Sequence, residues 1–283
     1  MSKETHMIKR VLVGLGTTRT AAAVTSQAIR IAKAHAGELV GLAVTDPLRL
    51  DWTGPKPIGV GVEAAAADLR RQRHEHAAAE IASATKLFAQ RCLAEGVTHR
   101  VVEETGDPFA IAADIVRYHD LCVFGLHGLF EHGVVPEPSD ALERLVADGV
   151  RPILAVPEED RPIRRVLVAY SGSLESAKTF KQFVHSGIYP DAAVRIVCFN
   201  DDAAAAARRV EMAAGYFRAH GRTVDTDTVD GDPRHELVPY AQQWGADLIV
   251  AGNSAKNLLL RKLFGETALK LIRDCPLPLY LSQ

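Results

Sequence analysis

The sequence predicts an α/β protein made of two tandem domains, each a doubly wound parallel sheet of five strands. Three observations carry this. One pattern of motifs is written twice along the chain. Short apolar strands of the VLV and LIV type alternate with helical segments, which indicates parallel sheets covered on both faces. The 283 residues are long for one domain and comfortable for two of about 140 each, and 47% are apolar, enough for a core in each half.

The first copy opens on an apolar strand at Arg10-Val11-Leu12-Val13 and the second on Arg165-Val166-Leu167-Val168. A short loop of small residues follows each, Gly16-Thr17-Thr18 or Ser171-Gly172-Ser173, and then a helix. The second strands cover 39–45 and 194–200 and stop at Asp46 and Asp201. Here the copies diverge. The first carries an extra stretch over about 47–67, rich in Pro and Gly, before a long helix over about 68–95. The second passes directly into an Ala-rich helix, a strong helix former.

Gly106-Asp107-Pro108 and Gly231-Asp232-Pro233 each open a further helix, with proline in the first turn where its missing N–H does no harm. The fourth strands are LCVFG, ending at Gly125, and LIVAG, ending at Gly252. Both copies close with helix, proline and strand, in ALERLVADGVRPILAV and ALKLIRDCPLPLYLS. Gly125 and Gly252, like Leu142 and Leu269, stand 127 positions apart, which fixes the register of the final third. The charged, proline-bracketed run 157–162 divides the chain into domains at 1–157 and 162–283.

Bulk properties exclude several functions. A formal charge of -2 gives no basic surface for nucleic acid or membrane. No apolar run approaches the ~20 residues that span a bilayer. The start, MSKETHMIKR, lacks the apolar core of a secretory signal, so a cytoplasmic chain is expected. Cys92, Cys122, Cys198 and Cys275 form no CxxC pair, a pattern of reduced, buried thiols.

These motifs together resemble the universal stress protein family in its tandem two-domain form. The resemblance covers nearly the whole chain apart from 47–67. It implies a Rossmann-like fold of the adenine nucleotide alpha hydrolase type, with strand order 3-2-1-4-5. It also implies last strands, near 153–156 and 277–281, that pair across the domains as an intramolecular pseudo-dimer. The nucleotide-binding members carry G-x2-G-x9-G-[ST] after strand four and an Asp at the end of strand one.

Carried over residue by residue, the first copy matches at Gly125, Gly128 and Ser139, with Pro138 in place of the third glycine. The second matches at Gly252 and Gly265, with Ala255 in place of the second glycine, Glu266 at the hydroxyl position and Thr267 one residue late. Gly16 and Ser171 replace the strand-one Asp. The resemblance therefore implies ATP or a related adenine nucleotide, with Mg2+ only if nucleotide binds. The loops Gly16-Thr17 and Ser171-Gly172-Ser173 would lie beside it, and Val44 or Phe199 would offer the base a backbone edge. A carboxylate beside a phosphate repels it, so Glu266 makes the first copy the expected site. Catalysis is expected to be absent or slow, because neither loop has a Walker-type Lys-Ser/Thr pair. A protein partner is expected but not named by the sequence, and a further homodimer stays open.

Other signals point to different chemistry. Gly14-Leu15-Gly16 begins like a dinucleotide fingerprint, but Arg19 stands at the third glycine. The run from Ser171 to Ser176 resembles the S-G-G-x-D-S loop of ATP pyrophosphatases, with Ser173 and Glu175 as mismatches. His74 and His76 are spaced i, i+2 and point to different faces of a helix, which suits no metal. His119, His127 and His132 are irregularly spaced. Arg261 and Lys262 suit a phosphate or a solvated face equally. The 47–67 stretch, with Leu48 and Trp52, reads as a lid over the first cleft or as interface padding.

Overall fold

A computed structural model of the chain describes residues 8–16, 19–51, 62–126, 142, 145, 152–200, 202–252 and 266–282. The first copy runs β1 (Arg10–Gly14), α1 (Ala21–His35), β2 (Glu38–Thr45), α2 (Pro47–Asp51), α3 (Val62–Ala94), β3 (His99–Thr105), α4 (Pro108–Val116), β4 (Leu121–Gly125) and β5 (Ile153–Val156). Residues 157–164 lead into the second copy. It runs β6 (Arg165–Ala169), α5 (Leu174–Ser186), β7 (Ala193–Phe199), α6 (Ala203–Ala219), β8 (Val224–Val229), α7 (Pro233–Trp244), β9 (Leu248–Gly252), α8 (Glu266–Asp274) and β10 (Leu279–Ser282).

Within each copy the strands are parallel and ordered 3-2-1-4-5, as expected. The two sheets are not separate. They fuse into one ten-stranded sheet of order β3-β2-β1-β4-β5-β10-β9-β6-β7-β8. The seam is the antiparallel pairing of β5 with β10, in register Leu279 with Ala155, Tyr280 with Leu154 and Leu281 with Ile153. All four residues of each seam strand are buried. Pairing thus removes two apolar edges that would otherwise invite association. The outer edges, β3 and β8, instead carry Arg100, Glu103, Glu104, Asp225 and Asp227, which blunt them.

The repeat persists at atomic detail. Asp120 Oδ2 accepts from the backbone N–H of Lys9 and Arg10, at 2.8 and 2.9 Å. Asp247 Oδ2 accepts from Arg164 and Arg165, both at 2.9 Å. Each carboxylate ties the start of one central strand to its neighbour. Asp107 and Asp232 cap α4 and α7, accepting from Phe109 N at 3.0 Å and Arg234 N at 2.9 Å. Gly106 (φ 150°) and Gly231 (φ 143°) turn the chain into these caps with backbone that L side chains rarely adopt.

One boundary differs from the sequence reading. The long helix begins at Val62, not near 68, and 47–51 is helical too. Glu63 and the alanines 64–67 are strong helix formers, and prolong the helix back to the last glycine. Residues 52–61, with Trp52, lie outside the described residues. In α3 the buried positions are Ala77, Ile81, Phe88 and Cys92, all in its C-terminal part.

The halves also meet away from the seam. Gln27 of α1 donates to the Arg161 carbonyl at 2.6 Å and accepts from Tyr189 Oη at 3.2 Å. Arg30 pairs with Asp160. All four cysteines are free and buried, as expected. Burial pushes the Cys92 and Cys275 thiols up to about 11, which makes them poor nucleophiles. No described helix is long and apolar enough to cross a membrane.

Candidate functional site

In the second copy, β6, β7 and β9 end together at a cleft. Ala169, Val197, Phe199, Leu237 and Ala251 form its apolar floor and wall, and Ser171, Ser176 and Thr267 its polar rim. Its space, counted out to bulk solvent, is about 520 Å³. Helices α5, α7 and α8 all start at this rim, through Ser176, Pro233 and Thr267. Helix N-termini carry partial positive charge and unpaired N–H groups, so three of them favour an anionic group. The strand order of the second copy also reverses here, between β6 and β9.

The Ser171-Gly172-Ser173 loop is held by its own hydroxyls. Ser173 caps α5, its Oγ accepting from Ser176 N at 3.1 Å. The Ser171 hydroxyl lies 3.1 Å from Ser173 Oγ and 3.2 Å from Ser176 Oγ. Gly172 has φ 82°, and a Cβ on it would lie 2.7 Å from Arg209 Cδ. Ser173, a mismatch to the pyrophosphatase loop, is thus the residue that starts the helix. Gly252 has a packing role of its own. A Cβ there would lie 2.6 Å from Ser176 Cα, so this glycine lets the end of β9 touch the first turn of α5.

Glu266 does not stand alone. Arg234, at the start of α7, pairs with both Glu266 and Asp232. Its hydrogen bonds push the Asp232 carboxyl down to about 2. The negative charge expected in this cleft is therefore already partnered. Lys270 Nζ, in α8, lies 3.1 Å from His235 Nδ1.

The equivalent place in the first copy is filled. Gly14, Leu15, Val44, Phe124 and Gly125 correspond to Ala169, Tyr170, Phe199, Ala251 and Gly252. Leu15, Val44, Phe124 and Gly125 are all buried. The Phe124 ring lies where a Cβ on Gly14 would be 2.4 Å from its Cδ1. Arg49 of α2 rests 5.8 Å from the ring centre of Phe109, which starts α4. Gly16 is buried as well. The candidates Thr17, Gly128, Ser139, Ala255 and Gly265 lie outside the described residues, as do Asp201, Pro138, His127, His132, Arg261 and Lys262.

Of the residues singled out by sequence, Ser171, Phe199, Gly252 and Thr267 are brought together on the cleft. Ser176, named by sequence only as the end of the pyrophosphatase-like loop, joins them, whereas Tyr170, Leu237 and Ala251 were not singled out as site residues. The last was legible as the small residue before the glycine in LIVAG, against phenylalanine in LCVFG.

His74 and His76 bind carboxylates rather than each other, at Asp51 (2.8 Å) and Glu80 (3.4 Å). Among the described residues no group of three or more His, Cys, Asp or Glu is placed to hold a metal.

Residues 7–145 and 199–282 match the sequence profile of the universal stress protein family. The chain belongs to the universal stress protein family. The second matched segment starts at Phe199, the end of β7, so β6, α5 and most of β7 lie outside the match. The fold supplies them in their family positions all the same. A universal stress protein from Archaeoglobus fulgidus DSM 4304 shares the architecture at a TM-score of 0.66, with 15% identity over 98% of this chain and 97% of that one. A functionally unknown protein from Pseudomonas aeruginosa PAO1 superposes at 0.63, with 16% identity over 99% and 94%. At these identities the likeness establishes the fold. No curated protein matches the chain in sequence.

Proposed function

We propose that this universal stress protein is a regulatory binding module of the stress response that takes ATP or a related adenine nucleotide in the second copy's cleft, without efficient turnover. The observation that carries the reading is the asymmetry of the copies. Ala251 leaves open the place that the Phe124 ring fills in the first copy. The apolar floor suits a base, with the Phe199 ring beside it. The three helix N-termini and the hydroxyls of Ser171, Ser176 and Thr267 suit phosphates. The sequence favoured the first copy because of Glu266. Pairing of Glu266 with Arg234 weakens that argument, and Phe124 opposes it.

Phosphoryl transfer needs a placed cation and a positioned nucleophile. Asp232 and Glu266, which adjoin the rim residues Pro233 and Thr267, are both engaged by Arg234, which supports slow or no turnover. Mg2+ would enter only with the nucleotide.

The test is calorimetric titration with ATP. The parent chain should bind one equivalent. The double variant Ala169→Gly/Ala251→Phe rebuilds the glycine–phenylalanine pair of the first copy and should abolish binding. Full binding by that variant would move the site elsewhere. No binding by the parent would favour a nucleotide-free interaction scaffold of the same fold. Release of AMP and pyrophosphate, lost in Ser171→Ala, would favour a pyrophosphatase-type enzyme.

A further inference from the structure

The C-terminal ends of α5 and α6 bring His185, Tyr216 and His220 together on the surface of the second copy. His185 lies in the last turn of α5 and His220 caps α6. The Tyr216 hydroxyl and His185 Nε2 are 2.7 Å apart. The two imidazole ring centres are 5.2 Å apart with planes at 68°. Tyr216 and His220, one helical turn apart, have ring centres 4.5 Å apart. Both histidines are exposed. Neither ring nitrogen of His220 has a hydrogen-bond partner among the described residues.

From this geometry we propose that His185, His220 and Tyr216 form a binding site for a late first-row divalent transition-metal ion, Cu2+ ahead of Zn2+. Four arguments support it. First, the spacing fits. Two imidazoles on one ion at ~2.0–2.1 Å put their ring centres roughly 4.5 Å apart at the right angle of a tetragonal ion and roughly 5 Å apart at a tetrahedral angle, so the observed spacing lies within a small side-chain movement of either. Second, the donors fit. Imidazole nitrogen suits Cu2+ and Zn2+, the phenol oxygen supplies a third donor, and among such ions Cu2+ binds nitrogen and oxygen sites most tightly.

Third, both histidines stand at helix C-termini, where the aligned peptide dipoles favour positive charge. Fourth, the site is held in shape. Phe180 packs edge-on against Tyr216, at 5.6 Å between ring centres, and couples the hydroxyl-bearing ring to the core of the copy. Lys181 Nζ lies 5.5 Å from the Tyr216 ring centre. Its charge opposes a cation, so this site is weaker than a buried three-histidine centre. The site is not legible in sequence, because the two histidines are 35 positions apart and belong to no ligand-type spacing.

The site lies on different residues from the cleft, so its test is independent of nucleotide binding. The experiment titrates Cu2+ alone into the tag-free full chain. It follows calorimetric heat and the paramagnetic broadening of assigned histidine Hε1 resonances. The first equivalent should broaden His185 and His220 before the other histidines. His185→Gln and His220→Ala should each weaken this step at least 10-fold, and the double variant should lose one equivalent. Tyr216→Phe should weaken it less and keep both imidazoles broadened. Circular dichroism of the variants should be unchanged, since both side chains are exposed. Broadening that starts at His74, His76 or His6 would overturn the proposal. So would an unchanged stoichiometry in the double variant, or no uptake of Cu2+ by the parent chain.

Discussion

Phe124 and Ala251 occupy equivalent places, and between them they decide how much space each copy leaves at its strand ends. Phe124 is fully buried on Gly14. Phe124→Ala should cost about 3–5 kcal/mol by loss of burial and the cavity left behind. Chemical denaturation would read this as a lower midpoint at unchanged slope. A second residue-scale expectation concerns acid. Burial, then the nearby Lys9 charge, lowers the pKa of His35, and burial lowers that of His119 despite the hydrogen bond from Nδ1 to the Ile115 carbonyl. Both therefore stay neutral in the fold at a pH where the unfolded chain already takes up protons. Their contribution is fully present above the unfolded value of 6.5 and is lost as pH falls from there through the lowered folded values. The thermal midpoint should drop between pH 7 and 5. His35→Gln/His119→Gln should flatten that slope; an equal slope in the variant would assign the acid sensitivity to other groups.

At the scale of elements, the carboxylates at the starts of β4 and β9 are the least expected stabilisers. Asp247 satisfies two backbone N–H groups at the start of β6, one of the two strands beside it. Arg164 and Arg165 are exposed, so water can meet the freed donors; Asp247→Ala should therefore cost about 1 kcal/mol, the ordinary net worth of a hydrogen bond, and Asp247→Asn should recover part of it. Urea unfolding of the two variants measures both effects. The strands themselves were legible because buried parallel strands write short apolar runs, and the Gly-Asp-Pro helix starts because cap, turn and proline each leave a fixed residue. Asp120 and Asp247 were not, since a lone aspartate before a strand looks like any surface acid. The start of α3 was not legible because Pro and Gly at 54–61 interrupt any helical pattern just ahead of the helix-forming alanines. Of the cleft, its place was legible from the glycine-ended strands. Its openness was not, because LCVFG and LIVAG have the same apolar pattern and differ in side-chain volume.

At the scale of the whole molecule, the antiparallel seam decides what the two copies are to each other. In β5 and β10 every residue is buried, so neither strand is a viable edge on its own. The connecting segment is also held by contacts of its own. Its Arg161 carbonyl and Asp160 carboxylate are themselves bound to Gln27 and Arg30 of α1. Each half has its own five parallel strands and the helices that cover them. We therefore expect the division at 157–162 to tolerate a cut. A protease site inserted between Glu158 and Glu159 falls at exposed residues. After cleavage the fragments should still elute together at the mass of the intact chain, 30.6 kDa. Adding the charge pair Leu154→Lys/Tyr280→Lys, two residues that face each other across the seam, should release them. Fragments that separate without that change would show the linker, rather than the seam, to be what joins the copies. A cut chain that aggregates would show that one half does not fold as a unit.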